Sequence, residues 1–419
     1  MNVIIGEYPI DKFARVYIII SGGPGMRIAY FAGSMKQGHD GVTRVLYRLS
    51  DYLQQKQINH LFFSAITPPE HERSVPMHTV PSVQFPLYHE YRLALPGQKQ
   101  IEMELEEFQP DILHINSPCS LGLAAIRYGQ KKNIPVVATY HTHFASYARY
   151  YRIRMLERFS WSYFRSLYNK CERTYVPSEP ILEELRTHRI ANLEFIPHGV
   201  DSLRFHPMFR DDGWKQRLDL EGRYALLFVG RLVWEKDLKT LAATYQLLSE
   251  RRNDIAFVLA GDGPVRKELQ QLMPNATFLG NQTGGDLSMA YASSDLFVFP
   301  STTETFGNVT LEAMASGLPP ICANKGGASG FIRDGVTGLL AKPRSPEDLA
   351  AKVEFLIDHP ERRAEIAKQA FLYGQEQTWE HSFEKLLLSY DDVVRSYASK
   401  KSINIGKPKR RISQLIVQH

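Results

Sequence analysis

The stretch FPSTTETFGNVTLEAMASGLP, residues 299–319, joins the end of an apolar run to a polar turn and a helical pattern. The apolar run 296–299 predicts a buried strand that ends at Pro300. A helix is predicted to begin near Gly307 and to end at Gly317. Strand, turn and helix make half of a βαβ unit, and ligands bind at the carboxyl ends of such strands. This stretch therefore predicts both a parallel sheet and a ligand site at its edge.

Two carboxylates lie in this stretch. Glu304 falls in the turn and Glu312 inside the predicted helix, with seven residues between them. Backbone N–H groups at a helix start can hold an anion. Two carboxylates beside an anion site indicate a ligand with both phosphate and hydroxyl groups. The alternative is a capped surface helix with two solvated glutamates.

With its flanking FPS, ETFG and EAMASGLP, the stretch resembles the acidic signature of retaining nucleotide-sugar glycosyltransferases of family 4. The resemblance implies that Glu304 lies near the transferred sugar and that Glu312 hydrogen-bonds the nucleotide ribose. It also implies donor contacts along the turn and the helix start, at Thr305, Phe306, Gly307, Asn308 and Val309.

A second segment, VGRLVWEK at residues 229–236, follows an apolar run and precedes a helical pattern. Gly230 lets the backbone pass close to a ligand, while Arg231 and Lys236 supply a fork of donors and a point charge for a diphosphate. The segment resembles the family's Gly-Arg…Lys clamp. It departs from the family at Asp237, where glycine is common, and this puts the geometry of the turn in doubt.

Two glycine turns also match the family. The segment GDGP at 261–264 is by composition only a tight turn, and the resemblance places Gly261, Asp262 and Gly263 near the nucleotide. Asp262 is expected to be structural rather than catalytic. In GHDGVTR, residues 38–44, Gly41 is the better match to the first-domain glycine that passes the donor phosphates.

The last candidate site residues are histidines. In YHTHF, residues 140–144, the resemblance implies that His141 contacts the transferred sugar. A structural histidine is the second interpretation, and a metal ligand is the third, because no third ligand has supporting spacing. Family members generally need no metal, so neither a metal nor a cofactor is predicted. The segment HGVD, residues 198–201, resembles the family's hinge.

Apolar runs alternate with helical patterns along most of the chain, restart after a polar segment, and so predict two doubly wound domains with a cleft between them. The first 25 residues are predicted to be an extension from a wrongly chosen start codon, with Met26 as the true start. The predicted parts are the extension 1–25, an N-terminal acceptor-side domain 26–205, a linker 206–222, a C-terminal donor-binding domain 223–378, a helix 379–398 that crosses back to the N-terminal domain, and a basic tail 399–419.

Composition sets broad limits. The chain has 419 residues, of which 43% are hydrophobic and 23% charged, which excludes general disorder. Its three cysteines are far apart and fit a reducing cytosol, and no apolar run is long enough to cross a bilayer. The last 20 residues hold six basic residues and no acidic one, in a chain of net charge +5, so the rest carries −1. Such a tail is disordered or binds anionic lipid.

Residues 144–175 combine ten aromatic residues and seven cations with two acids. Basic and aromatic helices bind anionic membrane surfaces. They also bind nucleic acid, but no nucleic-acid fold accompanies this one. An ordinary half-buried helix with core aromatics is nearly as good an interpretation. Together with the basic tail, the segment favours a cytoplasmic protein at the inner face of the membrane, with no nucleic-acid partner.

These features predict an α/β protein of two facing Rossmann-like domains, the glycosyltransferase B fold, with an interdomain cleft. The resemblance implies retaining transfer of a hexose from a nucleoside diphosphate sugar to a glycolipid or saccharide acceptor, through a front-face mechanism. The YHTHF and DGVTR segments look most like bacterial mannosyltransferase and sulfoquinovosyltransferase-like members, so GDP-mannose is the first donor and a UDP-sugar the second. The alternatives are glycoside hydrolysis, which does not explain the Arg–Lys clamp, a non-catalytic scaffold, and an epimerase or a phosphorylase.

Overall fold

The computed structural model describes residues 25–36, 41–84, 92–95, 97–141 and 154–405. Predictions for the N-terminal extension up to residue 24, the loop 37–40, the segment 142–153 and the tail beyond residue 405 lie outside the described residues.

A parallel sheet of seven strands forms the first domain. Its central strands are short, largely apolar runs buried on both faces, as is usual in parallel sheets. From one edge to the other they are Met77–Thr79, Asn59–Ser64, Arg27–Ala32, Ile112–Ile115, Val136–Thr139, Arg173–Val176 and Leu193–Phe195. The chain order reverses between Arg27–Ala32 and Ile112–Ile115, which makes their carboxyl ends the switch point of this sheet.

The second domain repeats this architecture with six parallel strands. In spatial order they are Thr277–Gly280, Ile255–Ala260, Tyr224–Val229, Leu296–Phe299, Pro320–Ala323 and Leu339–Ala341. Its switch point lies between Tyr224–Val229 and Leu296–Phe299. Two doubly wound α/β domains confirm the predicted fold class.

Helices connect the strands and cover both faces of each sheet. In the first domain they are Gly41–Gln55, Gln98–Phe108, Ser120–Lys132, Arg154–Tyr168 and Glu179–Thr187. The remaining ones are Trp214–Arg217, Leu238–Arg251, Arg266–Leu272, Gly284–Ser293, Asn308–Ala315, Pro346–Asp358, Pro360–Glu376 and Trp379–Ile405.

Sequence patterns did not reveal one of the two edges of the first sheet. The strand Met77–Thr79 and a short antiparallel pair, Ser82–Gln84 with Arg92–Ala94, contain only three residues each. A run of three residues gives too few positions for an apolar period to show.

The chain crosses between the domains twice, and the two crossing segments lie side by side. Val200 donates its N–H to the carbonyl of Gln377 at 2.8 Å. A Cβ on Gly199 would lie 2.2 Å from the backbone nitrogen of Trp379, so only glycine allows this approach. The crossings leave the two switch points facing each other across a cleft.

The last helix, Trp379–Ile405, packs against the first domain. It buries Tyr390 beside His114, and Ser382 donates to the carbonyl of Pro197 at 2.6 Å. Residues 206–222, predicted as a linker, place Trp214 and Leu220 in the core of the second domain. The chain has therefore joined the second core before the first strand of that domain begins.

Candidate active site

Two turns meet at the switch point of the second sheet. The basic turn, residues 230–237, follows the strand Tyr224–Val229, and the acidic turn, residues 300–307, follows the neighbouring strand Leu296–Phe299. Hydrogen bonding between these two strands brings the turns together. This is the crevice in which open α/β sheets bind ligands.

A partly buried ion pair joins the two turns. Lys236 Nζ lies 2.5 Å from Glu304 Oε1, and the side chains are 22% and 18% exposed. Ser301 Oγ donates to the same oxygen at 2.9 Å. A pair shielded from water interacts more strongly than a surface pair. The structure thus brings together two of the predicted catalytic residues.

The side chain of Lys236 passes close to the backbone at Gly230. The φ of Gly230 is +153°, and an added Cβ would lie 3.5 Å from Lys236 Cδ. Arg231, next in sequence, is exposed. The basic turn therefore directs two cations to the switch point.

The glycine turn at 261–263 lies behind the basic turn. A Cβ on Gly261 would stand 2.0 Å from the carbonyl oxygen of Gly230, and one on Gly263 would stand 2.2 Å from that of Leu232. Asp262 Oδ1 accepts the N–H of Gly263, while its Oδ2 accepts from Arg266 at 3.1 Å. These contacts show how the segment supports the basic turn. Its predicted donor contact stays a prediction.

The acidic turn leads into the helix Asn308–Ala315 through Gly307, whose φ of +96° suits glycine. The first N–H groups of a helix generally have no partner within it, and of these the Thr310 N–H donates to the Gly307 carbonyl at 2.9 Å. Phe306 is buried against Phe331, with ring centroids 4.8 Å apart. Val309 packs against the second core as a partly buried side chain. At Phe306 and Val309 the backbone, rather than the side chain, is available to a ligand.

Glu312 faces a cavity between the domains. Its Oε2 accepts a hydrogen bond of 2.9 Å from the buried Tyr291. Burial first, and then the charge of Glu312, raises the pKa of Tyr291, so the phenol stays a donor. The cavity is also lined by Asn308, Gly41 and three arginines, namely Arg44, Arg48 and Arg204. Two predicted donor contacts, Gly41 and Glu312, thus meet here from opposite domains.

His141 forms the opposite wall, at the carboxyl end of the first sheet. His141 Nε2 lies 2.9 Å from Asn116 Oδ1. Its Nδ1, like the Asn116 Nδ2, is buried and has no hydrogen-bond partner among the described residues. Burial first, then the nearby His198 and His114, lowers the pKa of His141 well below its usual value. The wall therefore presents a neutral imidazole and an amide.

The two walls touch at the acidic turn. Thr305 Oγ1 donates to the carbonyl of His141 at 2.8 Å, and Ser178 Oγ donates to the carbonyl of Thr305 at 2.6 Å. His198 Nδ1 lies 2.9 Å from Asn308 Oδ1, and burial lowers the pKa of His198 to about 4. Thr305 and Asn308 therefore use their side chains to join the domains.

Sequence reasoning missed several residues of the site. Asn116 follows the strand Ile112–Ile115, and the switch-point rule applied to the first sheet would have found it. Gly327 donates its N–H to the carbonyl of Glu304 at 2.7 Å, and the paired glycines after Pro320–Ala323 were its signal. Asp237 was noted only as a departure from the family, and no local pattern shows what its side chain contacts.

The described residues contain no group of three or more His, Cys, Asp or Glu side chains that could hold a metal ion. Across the same residues, no helix combines the length and the apolarity needed to span a bilayer.

Two doubly wound domains that face each other across a cleft, with the Lys–Glu pair at a switch point, define a glycosyltransferase of the B fold. A family model described as "Glycosyl transferases group 1" matches residues 211–372, and one described as "Glycosyltransferase Family 4" matches residues 39–204. A GDP-mannose-dependent alpha-mannosyltransferase of Corynebacterium glutamicum is 35% identical over 379 residues, covering 88% of this chain and 89% of that protein. The chain belongs to this family of glycosyltransferases.

Another relative is the sulfoquinovosyl transferase SQD2 of Arabidopsis thaliana, 35% identical over 334 residues, covering 77% of this chain and 64% of that protein. Among solved structures, Anabaena Alr3699/HepE, crystallised with UDP and glucose, matches with a TM-score of 0.70 at 19% identity, covering 87% of this chain and 99% of that one. This structural likeness confirms the fold.

Proposed function

We propose that this glycosyltransferase transfers mannose from GDP-mannose, with retention of configuration, to a hydroxyl of a glycolipid or saccharide. The observation that carries the proposal is the Lys236–Glu304 pair at the switch point of a chain that is 35% identical to a GDP-mannose-dependent enzyme over most of its length. A UDP-sugar is the alternative donor.

The donor diphosphate would lie at the start of the helix Asn308–Ala315. Arg231 and Lys236 would offset its charge together with the backbone N–H groups of the helix start. Glu312, oriented by Tyr291, would accept hydrogen bonds from the ribose hydroxyls. Gly41 would lie beside the phosphates, since it lines the cavity that Glu312 faces.

The sugar would lie between Glu304 and His141. Among the described residues, both donors to Glu304 reach Oε1, so Oε2 can accept from a sugar hydroxyl. His141 Nδ1 and Asn116 Nδ2 would supply one acceptor and one donor from the facing wall. A buried polar atom without a partner costs about 1–3 kcal/mol, which a bound hydroxyl would recover.

In the reaction, the bond between the anomeric carbon and the diphosphate oxygen breaks while the acceptor oxygen bonds to the same face of that carbon. The acceptor proton passes to the departing phosphate oxygen. Lys236 and Arg231 stabilise the charge that develops on the diphosphate. Glu304 is engaged by Lys236 and Ser301, which makes it a poor nucleophile, so we assign it to charge stabilisation rather than to a covalent intermediate.

Donor choice can be tested with purified protein and a panel of UDP-, GDP- and ADP-sugars, by thermal shift and by transfer of radiolabelled sugar to membrane lipids. A ligand that binds only the folded state raises the melting temperature. We expect stabilisation and transfer with GDP-mannose. Stabilisation by UDP-sugars alone would replace the donor assignment, and binding without any transfer would favour a scaffold.

The acceptor is proposed to lie at an anionic membrane surface. On the helix Arg154–Tyr168, Met155 and Phe159 are 71% and 66% exposed, and Arg158 and Arg165 share the exposed face. Lys400 pairs with Glu172 at 2.9 Å, just after that helix ends. The basic C-terminal segment therefore begins near the C-terminal end of this helix, and we propose that both meet the same lipid surface. The site of action would be the cytoplasmic face of the membrane.

Co-sedimentation with vesicles tests this surface. We expect binding to vesicles that contain phosphatidylglycerol and weak binding to pure phosphatidylcholine. The double variant Met155→Ser, Phe159→Ser should lose binding, whereas Leu272→Ser, an exposed leucine of the second domain, should retain it. Equal binding by the double variant would exclude this helix as the docking surface.

A further inference from the structure

Asp237 stands where the family commonly has glycine, and its backbone shows why glycine is suited to the position. Its φ is +52° and its ψ +35°, in the left-handed region that costs most residues energy. The side chain is a carboxylate only 3% exposed. A strained backbone and a buried charge at one residue need a compensating interaction.

Hydrogen bonds from the acidic turn and an ion pair compensate for this strain and for the buried charge. Asp237 Oδ2 accepts the Thr302 N–H at 3.0 Å and the Thr302 hydroxyl at 2.5 Å. Asp237 Oδ1 accepts from Arg344 Nε at 3.0 Å, which balances the charge. One carboxylate therefore binds the turn that carries Glu304 and a cation from a third loop.

This contact is one of a series between the two turns. Thr303 Oγ1 donates to the carbonyl of Glu235 at 2.9 Å, and Lys236 pairs with Glu304. Three consecutive residues of the basic turn thus contact three residues of the acidic turn. Of these three contacts between the turns, only that of Asp237 engages the backbone of the acidic turn, so it fixes the path of the chain two residues before Glu304. The Gly327 N–H and the Ser178 hydroxyl hold the carbonyls of Glu304 and Thr305 from other segments.

We propose that Asp237 is a positioning residue that sets the Lys236–Glu304 geometry by anchoring the acidic turn through Thr302. This proposal rests on the assignment of that pair to the donor site. Asp237 does not itself contact the donor. Its loss would leave Lys236 and Glu304 present but imprecisely placed, and small displacements of charge-stabilising groups reduce turnover more than ground-state binding.

Asp237→Gly is the informative variant because glycine relieves the backbone strain while removing the anchor. We expect its melting temperature to change little, because relief of the backbone strain offsets part of the cost of the lost hydrogen bonds. Its kcat with GDP-mannose should fall about tenfold or more, with KM for the donor changed less than about threefold. Asp237→Asn, which keeps an acceptor for Thr302, should recover part of the loss.

Hydrogen–deuterium exchange gives a readout that does not depend on the donor. Amides of residues 300–307 should exchange faster in Asp237→Gly. The matched control is Asp295→Asn, since Asp295 also accepts a backbone N–H, from Ala225 at 2.7 Å, and pairs with Lys215 at the opposite end of the same sheet. That variant should lower the melting temperature and leave exchange at 300–307 unchanged.

The outcomes separate the two proposals. No turnover of GDP-mannose by the wild type would contradict the donor assignment, while faster exchange at 300–307 would still support the anchor. Turnover of Asp237→Gly within about twofold of an active wild type, with unchanged exchange, would overturn the anchor. If Asp237→Gly does not fold, the variant Thr302→Val tests the anchor instead. Its loss of turnover should not add to that of Asp237→Asn, because both variants change the same contact.

Discussion

The two switch points of this enzyme have the same topology and opposite chemistry. At the second sheet the strand ends carry Lys236, Glu304 and the buried Asp237, so the wall is built from paired charges. At the first sheet they carry Asn116 and His141, whose imidazole stays neutral because burial lowers its pKa. The fold therefore supplies two equivalent crevices, and a few residues after each strand decide which chemistry each performs.

This division fits the proposed reaction. A diphosphate leaving group gains charge as it departs, and paired cations stabilise it. The sugar and the acceptor substrate are neutral polyols at the reacting end. Uncharged hydrogen-bonding groups can orient them without strong interactions with charges. Changes to the charged wall should consequently have larger effects than changes to the neutral wall.

The largest expected effect is that of Glu304→Ala. Loss of the carboxylate that we propose to lie beside the anomeric carbon should lower kcat by about 10²–10³-fold or abolish transfer, with GDP binding nearly intact. Radiolabel transfer measures the turnover of the variant, and calorimetry measures its affinity for GDP. Glu250→Ala, on an exposed helix face, is the control. Full turnover in Glu304→Ala would place the sugar elsewhere.

Lys236→Ala should weaken both GDP binding and turnover, each by about tenfold or more, because the proposed contact of the lysine with the diphosphate forms before transfer and persists during it. Lys239→Ala offers a matched control: Lys239 is an exposed cation three residues later, with its ammonium 5.2 Å from the Trp234 ring centroid. Equal losses in both variants would mean that general positive charge, rather than this position, binds the donor.

On the neutral wall, Asn116→Ala should lower turnover by about tenfold and leave GDP affinity unchanged, since Asn116 hydrogen-bonds His141 and is proposed to face the sugar. The measurement is kcat and KM for GDP-mannose beside a GDP titration. Asn169→Ala, an exposed asparagine of the same domain, serves for comparison. A parallel loss of GDP affinity would show that the wall with Asn116 also contributes to nucleotide binding, contrary to the proposal.

Acid should destabilise the protein through its buried neutral histidines. Burial lowers the pKa of His198 to about 4 and that of His114 to about 3. The unfolded chain takes up protons near its ordinary histidine pKa of about 6.5 while the folded chain does not, so stability is full above that pH and falls towards pH 4. Melting temperatures across this range should fall less steeply in His198→Gln. An equal slope would show that other groups dominate.

The smallest expected effect is that of chelation. We propose that Arg231 and Lys236 supply the charge that a metal supplies in other transferases, so EDTA should leave turnover unchanged. The assay is transfer before and after dialysis against EDTA, with added Mg²⁺ or Mn²⁺ as the second arm. A loss that a metal restores would contradict the proposal.

The sequence predicted the second domain closely. The apolar run 296–299, predicted as a buried strand, is the observed strand Leu296–Phe299, because a short apolar run bounded by turns is the pattern of a strand buried on both faces. Lys236 and Glu304 were found because they lie in distinctive local motifs. The pairing of their side chains follows from the neighbouring strands that carry them.

The sequence did not predict the anchoring role of Asp237 or the orphaned polar atoms of Asn116 and His141. Asp237 lies 65 residues from Thr302, and Asn116 lies 25 from His141. Contacts at such separations depend on which strands become neighbours, and no local period records that.

By itself, the sequence determined the two-domain α/β architecture, the residues at the strand ends and the family to which the chain belongs. Apolar periodicity and short motifs carry that information locally. The tertiary structure alone decided that the domains meet at Thr305, that the strand ends of one sheet carry paired charges while those of the other carry a neutral imidazole and an amide, and that a buried aspartate holds the acidic turn. Burial and long-range pairing set these properties, and both arise only when distant segments pack together.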